Sequence, residues 1–292
     1  AGTPGYLMRR NPRLPHAPEP PATSCAGTPG YGAALVGDTG PGGPSLLEVQ
    51  DLNVTFGVVK AVAGVSLEVG AGSLVGLIGP NGAGKTTFID AVTGFVPSVG
   101  QVHLAGQRLD HLAPHRRVAA GLGRTWQSLE LFDDLTLREN CLVAAQPTSP
   151  ASSLLDAVRP GRHLDDEKVA WALELLGVAD VASRLPSELS LGQRKLAGVA
   201  RALAAGPSLV LMDEPAAGLD SDESGALGER LRQVVAAGTT ILLVDHDMGL
   251  VLSICDTVHV LDFGLLLASG TPNEIRDDPA VVAAYLGSGT RT

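Results

Sequence analysis

The sequence, 292 residues long, lacks the features of several protein classes. Its apolar runs, such as 209–212 and 241–244, are far shorter than the ~20 residues that a membrane-spanning helix needs. Its three cysteines, Cys25, Cys141 and Cys255, are widely spaced and form no CxxC pair. That spacing argues against a disulfide framework or a zinc site and fits a reducing cytoplasm. The short apolar runs exclude a membrane-spanning protein, and the few scattered cysteines exclude a small domain held together by disulfides.

Excess positive charge is also missing, because the formal net charge is -10 at pH 7. Such a chain has no overall attraction for DNA, RNA or anionic lipid, so no nucleic-acid partner is expected. If it binds a polyanion, local cationic side chains and backbone N–H groups must hold it. With 45% hydrophobic residues, a chain of this length can bury a core that folds without metals or disulfides.

Residues 1–44 differ in composition from the rest of the chain. Nine prolines and nine glycines fall in this segment, and the hexapeptide AGTPGY begins at both Ala1 and Ala26. A segment with so little to bury cannot offset its ordering entropy, so we expect a disordered extension or linker. Because the chain starts with Ala and not Met, we expect that it was cut from a longer polypeptide and that this segment joined it to an upstream part.

From residue 45 onward the patterns predict regular structure. Short strand patterns alternate with helical stretches, which predicts an α/β fold with a mostly parallel sheet. Between 128 and 190 no apolar strand occurs, and helical patterns around 137–145 and 164–176 predict an α-helical insertion. The predicted strands are 47–54, 65–69, 74–78, 209–212, 241–244 and 258–261.

The segment GPNGAGKT matches the phosphate-loop pattern GxxxxGK[ST], and it follows a strand and opens a helix. Backbone N–H groups can curl around a phosphate only where glycines tolerate positive φ, and the helix directs its positive end at the anion. Lys85 would reach the β- and γ-phosphates, Thr86 would ligate Mg²⁺, and Thr87 would lie near the α-phosphate. The candidate loop residues are Gly79, Pro80, Asn81, Gly82, Ala83, Gly84, Lys85, Thr86 and Thr87.

Two carboxylates, Asp213 and Glu214, end the apolar strand 209–212. Ligands of open α/β sheets bind at this carboxyl edge of the strands. Asp213 is expected to hold Mg²⁺ through water, and Glu214 is expected to polarise the attacking water. Together with the phosphate loop, the pair predicts a P-loop enzyme that hydrolyses a nucleoside triphosphate.

Further motifs follow in a specific order: Gln127 after a strand-like stretch, LSLGQ at 189–193, AGLD at 217–220, and His246 after an apolar strand. The ordered set, over about residues 46–287, resembles the nucleotide-binding subunits of ABC transporters. The resemblance implies a RecA-like P-loop core, an antiparallel β subdomain and a helical subdomain at about 128–190. Residues 45–292 would then form one ABC nucleotide-binding domain that hydrolyses ATP.

The resemblance also implies roles around the nucleotide. Phe56, where a tyrosine is common, would stack on adenine through its ring face. Gln127 would contact Mg²⁺ and the attacking water and lie against the membrane partner. His246 would contact the γ-phosphate, so that Lys85, Gln127, Glu214 and His246 form the catalytic set.

The LSLGQ signature implies a dimer. In the family this helix N-terminus, an anion site, caps the γ-phosphate held by the other subunit, so that ATP lies between two subunits. Ser190, Gly192 and Gln193 would supply donors, and Asp220 would be the D-loop residue, counted with them among the nucleotide-binding residues. Leu191 replaces the first glycine of the usual LSGGQ, but the remaining donors still predict activity. The acidic run 220–223 is expected to cap and charge a helix N-terminus, with Asp220 itself set apart from that role.

Stretches at 124–136, 215–220, 246–256 and 269–287 look like branched-chain amino-acid importer ATPases. That likeness implies a second ATP-binding subunit, identical or not, transmembrane permeases, indirectly a substrate-binding protein, and a place on the cytoplasmic face of the cell membrane. An exporter ATPase of the lipopolysaccharide type is the alternative. A soluble ABC ATPase of DNA repair or translation is disfavoured, because there is one cassette, no long heptad run and no basic patch.

Overall fold

The computed structural model describes residues 44–126, 131–146 and 163–287. The predicted extension up to residue 43 and the predicted catalytic residue Gln127 lie outside them. The strands are β1 (Ser45–Phe56), β2 (Val59–Gly70), β3 (Leu74–Ile78), β4 (Val99–Leu104), β5 (Gln107–Arg108), β6 (Leu122–Arg124), β7 (Leu209–Asp213), β8 (Thr240–Val244), β9 (Thr257–Asp262) and β10 (Leu265–Gly270). The helices are α1 (Lys85–Thr93), α2 (Pro114–Ala119), α3 (Leu137–Ala145), α4 (His163–Leu175), α5 (Leu191–Ala204), α6 (Ser221–Ala236), α7 (Met248–Ile254), α8 (Pro272–Asp277) and α9 (Pro279–Gly287).

The larger sheet has six strands in the order β10-β9-β3-β8-β7-β6. All neighbouring pairs are parallel except β10, which runs antiparallel to β9. Every residue of β3, β7 and β8 is buried, as expected for parallel strands covered on both faces. Because these three strands are parallel, the loops that follow them meet at one edge of the sheet, with β8 in the middle.

The smaller sheet is antiparallel, with the strand order β2-β1-β4-β5. Helix α1 packs into the core that this sheet shares with the larger one, where Phe88 and Ile89 are fully buried with Leu47 of β1 and Leu77 of β3. The phosphate loop at the start of α1 is therefore held between both sheets. The mostly parallel core and the antiparallel β subdomain of the predicted fold are both confirmed.

Helices α3 and α4 lie within the helical insertion predicted at about 128–190, and α5, which starts at Leu191, packs with them in one layer between β6 and β7. Their buried side chains include Cys141 of α3, Val169 of α4 and Ala197 of α5, and Trp171 packs half-buried against the same core. Over the described residues, no helix combines the length and the apolar character that crossing a bilayer requires.

One local prediction is wrong. Asp220, which we set apart from helix capping, is itself the N-cap of α6, where its Oδ1 accepts a hydrogen bond of 2.8 Å from the Glu223 N–H. In turn, the Glu223 carboxylate accepts a hydrogen bond from the Asp220 N–H, so the two residues form a capping box. Asp is among the best N-cap residues because its short side chain reaches the unpaired N–H groups of the first turn.

Candidate functional site

The phosphate loop has a backbone that only glycine fits at two positions. Gly79 and Gly84 have φ values of 151° and 101°. An added Cβ would lie 2.1 Å from the Leu261 carbonyl oxygen at Gly79 and 2.3 Å from the Ala61 carbonyl oxygen at Gly84. The strands next to the loop thus hold it in the curled form in which backbone N–H groups line an anion site.

Lys85, the first residue of α1, lies over this loop. Its Nζ donates hydrogen bonds to the carbonyl oxygens of Gly79 at 2.7 Å and Pro80 at 3.1 Å. Burial lowers the pKa of Lys85, but the negative charges of Glu214 and Asp213 act in the opposite direction. The structure therefore brings the predicted cation and the predicted acidic pair to one site.

Asp213, at the end of β7, is almost fully buried. Burial raises its pKa, whereas the Arg124 guanidinium, 3.8 Å away, and a hydrogen bond from Thr86 lower it. The Thr86 hydroxyl and the Asp213 carboxylate are thus adjacent oxygen donors beside the phosphate loop. Oxygen donors of this kind suit Mg²⁺, so the two residues fit the metal that the sequence predicts.

Glu214 follows in an unusual conformation, with φ at 48°. Its N–H donates to the Val244 carbonyl oxygen at 2.7 Å, which fixes the loop after β7 to the end of β8. His246, in the next loop, has Nδ1 3.7 Å from Glu214 Oε1 and is 58% exposed. The predicted water-polarising carboxylate and the predicted γ-phosphate contact therefore lie side by side at the carboxyl edge.

Asp245 links the loop after β7 to the loop after β8, and the sequence analysis assigned it no role. Its side chain is completely buried, with Oδ2 accepting from the Ala216 N–H at 3.3 Å and Oδ1 from the Asp247 N–H at 3.0 Å. Arg124, a second missed residue, joins Asp213 to Asp90 of α1, 2.6 Å away. The signal that could have indicated both is a charged residue at the end of an apolar strand, as at Asp213.

The signature residues lie at the N-terminus of α5. Ser190 is its N-cap and forms a capping box with Gln193. The Leu191 side chain comes within 3.4 Å of where a Cβ on Gly218 would lie, so the departure from LSGGQ packs on the AGLD loop of the same subunit. Gly192 shares the first turn with Leu191, so their N–H groups lie at the positive end of the helix.

Phe56 is the predicted adenine contact. It lies at the end of β1, paired with Val59 across the turn, and its side chain is 52% exposed. This turn precedes the part of β2 whose Ala61 carbonyl oxygen borders Gly84 of the phosphate loop. An exposed ring near the loop is available for stacking on a base.

A glycine loop ahead of a buried cation, with carboxylates at neighbouring parallel strand ends, defines a P-loop nucleotide-binding protein. The family model described as ABC transporter matches residues 62–217, and that of the branched-chain amino acid ATP-binding cassette transporter matches 266–290. The chain belongs to the ATP-binding cassette proteins of ABC transporters, in the branched-chain amino-acid group, and it is an ATPase.

Individual relatives agree with this assignment. The chain is 40% identical to the high-affinity branched-chain amino acid transport ATP-binding protein LivG of Salmonella typhimurium over 83% of this chain and 98% of LivG. It is 34% identical to the lipopolysaccharide export system ATP-binding protein LptB of Acidithiobacillus ferridurans over 83% of this chain and 97% of LptB. The ADP conformation of MJ1267, an ATP-binding cassette of an ABC transporter, superposes with a TM-score of 0.75 and 31% identity, covering 84% of this chain and 99% of MJ1267.

Proposed function

We propose that this ATPase powers an ABC importer for branched-chain or other hydrophobic amino acids. The observation that carries the proposal is the match of residues 266–290 to the branched-chain family, in addition to the general cassette match. The similarity to LivG, a branched-chain amino acid transport ATP-binding protein, over nearly its whole length supports the same cargo class. The cargo binds elsewhere in such a machine, so the amino acid itself is assigned by the family alone.

Each subunit would hold ATP between Phe56 and the phosphate loop. Lys85 and the loop N–H groups bind the β- and γ-phosphates, and Thr87 lies near the α-phosphate. Thr86 and Asp213, with Gln127, would hold Mg²⁺, which supplies neutralising charge to the phosphate oxygens when bound.

Hydrolysis would use the two loops at the carboxyl edge. Glu214 accepts a hydrogen bond from the attacking water and polarises it, and His246 orients the γ-phosphate. Gln127 would help to place the same water. The backbone bond from the Glu214 N–H to Val244 supports this assignment, because it fixes the carboxylate next to His246.

A second ATP-binding subunit would complete the site. Across the dimer, the γ-phosphate bound by one subunit would be approached by Ser190, Gly192 and Gln193 of the other. The same residues of the first subunit would approach the second nucleotide, and Asp220 would lie at the same interface. The exposed helix N-terminus at Ser190 supports this arrangement, since a helix start attracts anions. Closure would exclude bulk water from both sites.

A transmembrane permease would dock beside residue 127, which places the chain on the cytoplasmic face of the cell membrane, with a substrate-binding protein acting indirectly. The exposed rings of Phe95 and Trp126, whose centroids are 4.9 Å apart, support this position, because clustered exposed apolar surface marks binding sites. The Arg124 guanidinium stacks 4.2 Å from the Trp126 ring and also approaches Asp213, so one side chain connects this surface to the proposed metal ligand.

The proposal is tested by leucine uptake in cells of the source organism that lack this gene. We expect uptake to fall, to be restored by the wild-type chain, and not to be restored by Glu214→Gln expressed at the same level. Uptake unchanged by the deletion would contradict the importer assignment.

The similarity to LptB favours a second candidate, an exporter ATPase of the lipopolysaccharide type. The two are separated by isolating the chain from detergent-extracted membranes and sequencing the spanning protein that accompanies it. An importer predicts a multi-span amino-acid permease, and an export permease would support the alternative.

A further inference from the structure

The turn between β9 and β10 is hydrogen-bonded to the phosphate loop. It consists of two residues, Phe263 and Gly264, because Asp262 pairs directly with Leu265. The Gly264 N–H donates a hydrogen bond of 3.0 Å to the carbonyl oxygen of Ala83, in the middle of the loop. A segment from late in the chain therefore contacts the loop that is proposed to hold the phosphates.

Gly264 also joins the loop to the smaller sheet. Its carbonyl oxygen accepts a hydrogen bond of 2.8 Å from the Ala63 N–H of β2. A Cβ added at Gly84 would lie 3.6 Å from the Gly264 Cα and 2.3 Å from the Ala61 carbonyl oxygen of β2. Because Gly84 immediately precedes Lys85, the turn and β2 together hold the loop where it passes into α1.

The backbone of this turn is strained. Both of its residues have positive φ, 45° at Phe263 and 78° at Gly264. Two-residue turns of this kind favour Asn followed by Gly, and positive φ is an outlier for a bulky residue. The Phe263 side chain is 74% exposed, so its ring gains little from packing. Such strain is typical of functional sites, and here it accompanies the hydrogen bond from Gly264 to Ala83.

We propose that Gly264 is a positioning residue for ATP: through its bonds to Ala83 and Ala63 it holds the phosphate loop in its curled form before the nucleotide binds. The inference rests on the proposed binding of phosphates by this loop and Lys85. A loop that is ordered in advance needs less of the binding free energy for its ordering. The turn therefore raises the affinity for ATP, whereas the chemical step depends on the loops after β7 and β8.

The test compares nucleotide binding and ATP hydrolysis in Gly264→Ala. The added Cβ would lie 2.8 Å from the Ala61 carbonyl oxygen, so the backbone of the turn must shift. We expect the Kd for a non-hydrolysable ATP analogue to rise about tenfold, since that factor corresponds to ~1.4 kcal/mol, close to the contribution of one hydrogen bond. The kcat at saturating ATP should stay within about twofold, because bound phosphates then hold the loop in place.

Gly238→Ala is the matched control. Gly238 also has positive φ, 101°, but no atom of the described residues lies within 4 Å of where its Cβ would be. This variant should strain the backbone and leave the Kd unchanged. Phe263→Asn removes the ring, keeps a left-handed turn and should also retain the wild-type Kd. If Gly264→Ala does not accumulate as folded protein, Gly264→Asn takes its place, because Asn carries the same Cβ and tolerates positive φ.

Hydrogen exchange gives a measurement that is independent of turnover. The analogue should slow exchange of the Gly264 N–H, because a bound ligand stabilises the closed form of the loop and its hydrogen bonds. The Gly238 N–H, which donates to the Val235 carbonyl oxygen at 2.9 Å, should exchange at the same rate with and without the analogue. Wild-type affinity in Gly264→Ala, an equal loss of affinity in Gly238→Ala or Phe263→Asn, or exchange at Gly264 that the analogue does not slow would each overturn the proposal.

The proposed function fails separately from this inference. Unchanged affinity for the analogue in Lys85→Ala would remove the phosphate-binding role on which the inference depends. Loss of affinity in Lys85→Ala together with wild-type affinity in Gly264→Ala would remove the inference alone.

Discussion

Glu214 is a single residue in which backbone strain and proposed chemistry coincide. A non-glycine residue at φ 48° costs on the order of 1–3 kcal/mol, and such residues concentrate at functional sites. Two backbone hydrogen bonds hold it, one from its N–H to Val244 and one to its carbonyl oxygen from Ala217. The fold therefore maintains an unfavourable conformation that directs this carboxylate to the edge of the sheet beside His246.

Glu214→Gln should bind ATP normally but lose about 10²–10⁴ in turnover, the usual contribution of a general base. The amide keeps the shape of the side chain and cannot take a proton from water. Steady-state phosphate release and a titration with fluorescent ATP measure the two quantities. Glu229→Gln, the same change at an exposed position of α6, serves as the control. Undiminished phosphate release in Glu214→Gln would remove the residue from its proposed role.

His259 is a residue whose effect is on stability. It bridges the two sheets, with Nε2 3.1 Å from the Glu68 carbonyl oxygen of β2 and Nδ1 2.8 Å from the Ser269 hydroxyl of β10. Burial lowers its pKa below the ordinary value of 6.5. The folded chain thus keeps this imidazole neutral at a pH where the unfolded chain protonates it.

The unfolded state then binds more protons than the native state, so His259 makes the free energy of unfolding fall as pH drops below about 6.5. Its stabilisation is complete above that value and decreases as pH approaches the lowered native pKa. Urea unfolding of the wild type and of His259→Gln between about pH 5 and 8 measures this effect. The stability difference between them should shrink toward acid, and a difference independent of pH would contradict the assignment.

The N-termini of helices matter at the scale of the elements, because the proposed dimer contact is made by one of them. Among the α-helices of the described residues, four begin with a side-chain capping box, at Thr136, Ser190, Asp220 and Thr271. A cap satisfies N–H groups that the helix leaves unpaired. At α5 the same N-terminus is also the proposed contact with a partner's γ-phosphate, so one residue has a local and an intermolecular role.

Ser190→Ala and Thr271→Ala separate these roles. Each should lower the free energy of unfolding by about 1 kcal/mol, because each removes one N-cap. Only Ser190→Ala should also weaken ATP-dependent dimerisation, measured by light scattering in the Glu214→Gln background. Equal dimerisation in the two variants would show that Ser190 acts only as a cap.

The success of sequence-based prediction followed how strongly each element is buried. β3 was predicted at its observed bounds, and β7 and β8 within one residue, because strands buried on both faces are continuous apolar runs. β5, with two exposed residues, and β10, where exposed and half-buried residues alternate, have no such run and were not predicted. The contiguous motifs identified the phosphate loop and the acidic pair.

What the sequence did not indicate are contacts between distant elements. Arg124 meets Asp90 from 34 residues away, and Asp245 meets Ala216 from 29 residues away. No local pattern encodes such pairs, because parallel strands adjacent in the sheet are far apart in the chain. Asp220 differs from these pairs, because a local rule, the preference for Asp at a helix N-cap, does indicate its role at the start of α6.

At the scale of the whole molecule, the two halves of the proposed ATP site lie in separate places. One lies at the carboxyl edge of the larger sheet, where Lys85 and Glu214 meet, and the other lies at the N-terminus of α5 in the helical layer. The acidic chain binds a polyanion because the cation and the loop N–H groups are local. The proposed site therefore requires two subunits, each supplying one half to the other.

The most direct test is a disulfide between copies. One chain carries Asn81→Cys in the phosphate loop and the other carries Ser190→Cys, both in a Cys25→Ser, Glu214→Gln background. The remaining native thiols are buried, and burial raises the pKa of Cys141 to about 12, so they should not compete. When the two chains are mixed with MgATP, the cross-linked heterodimer should form. Without MgATP, only chains that are not cross-linked should be present. Failure to form that bond with MgATP, while both chains still bind nucleotide, would contradict the shared site.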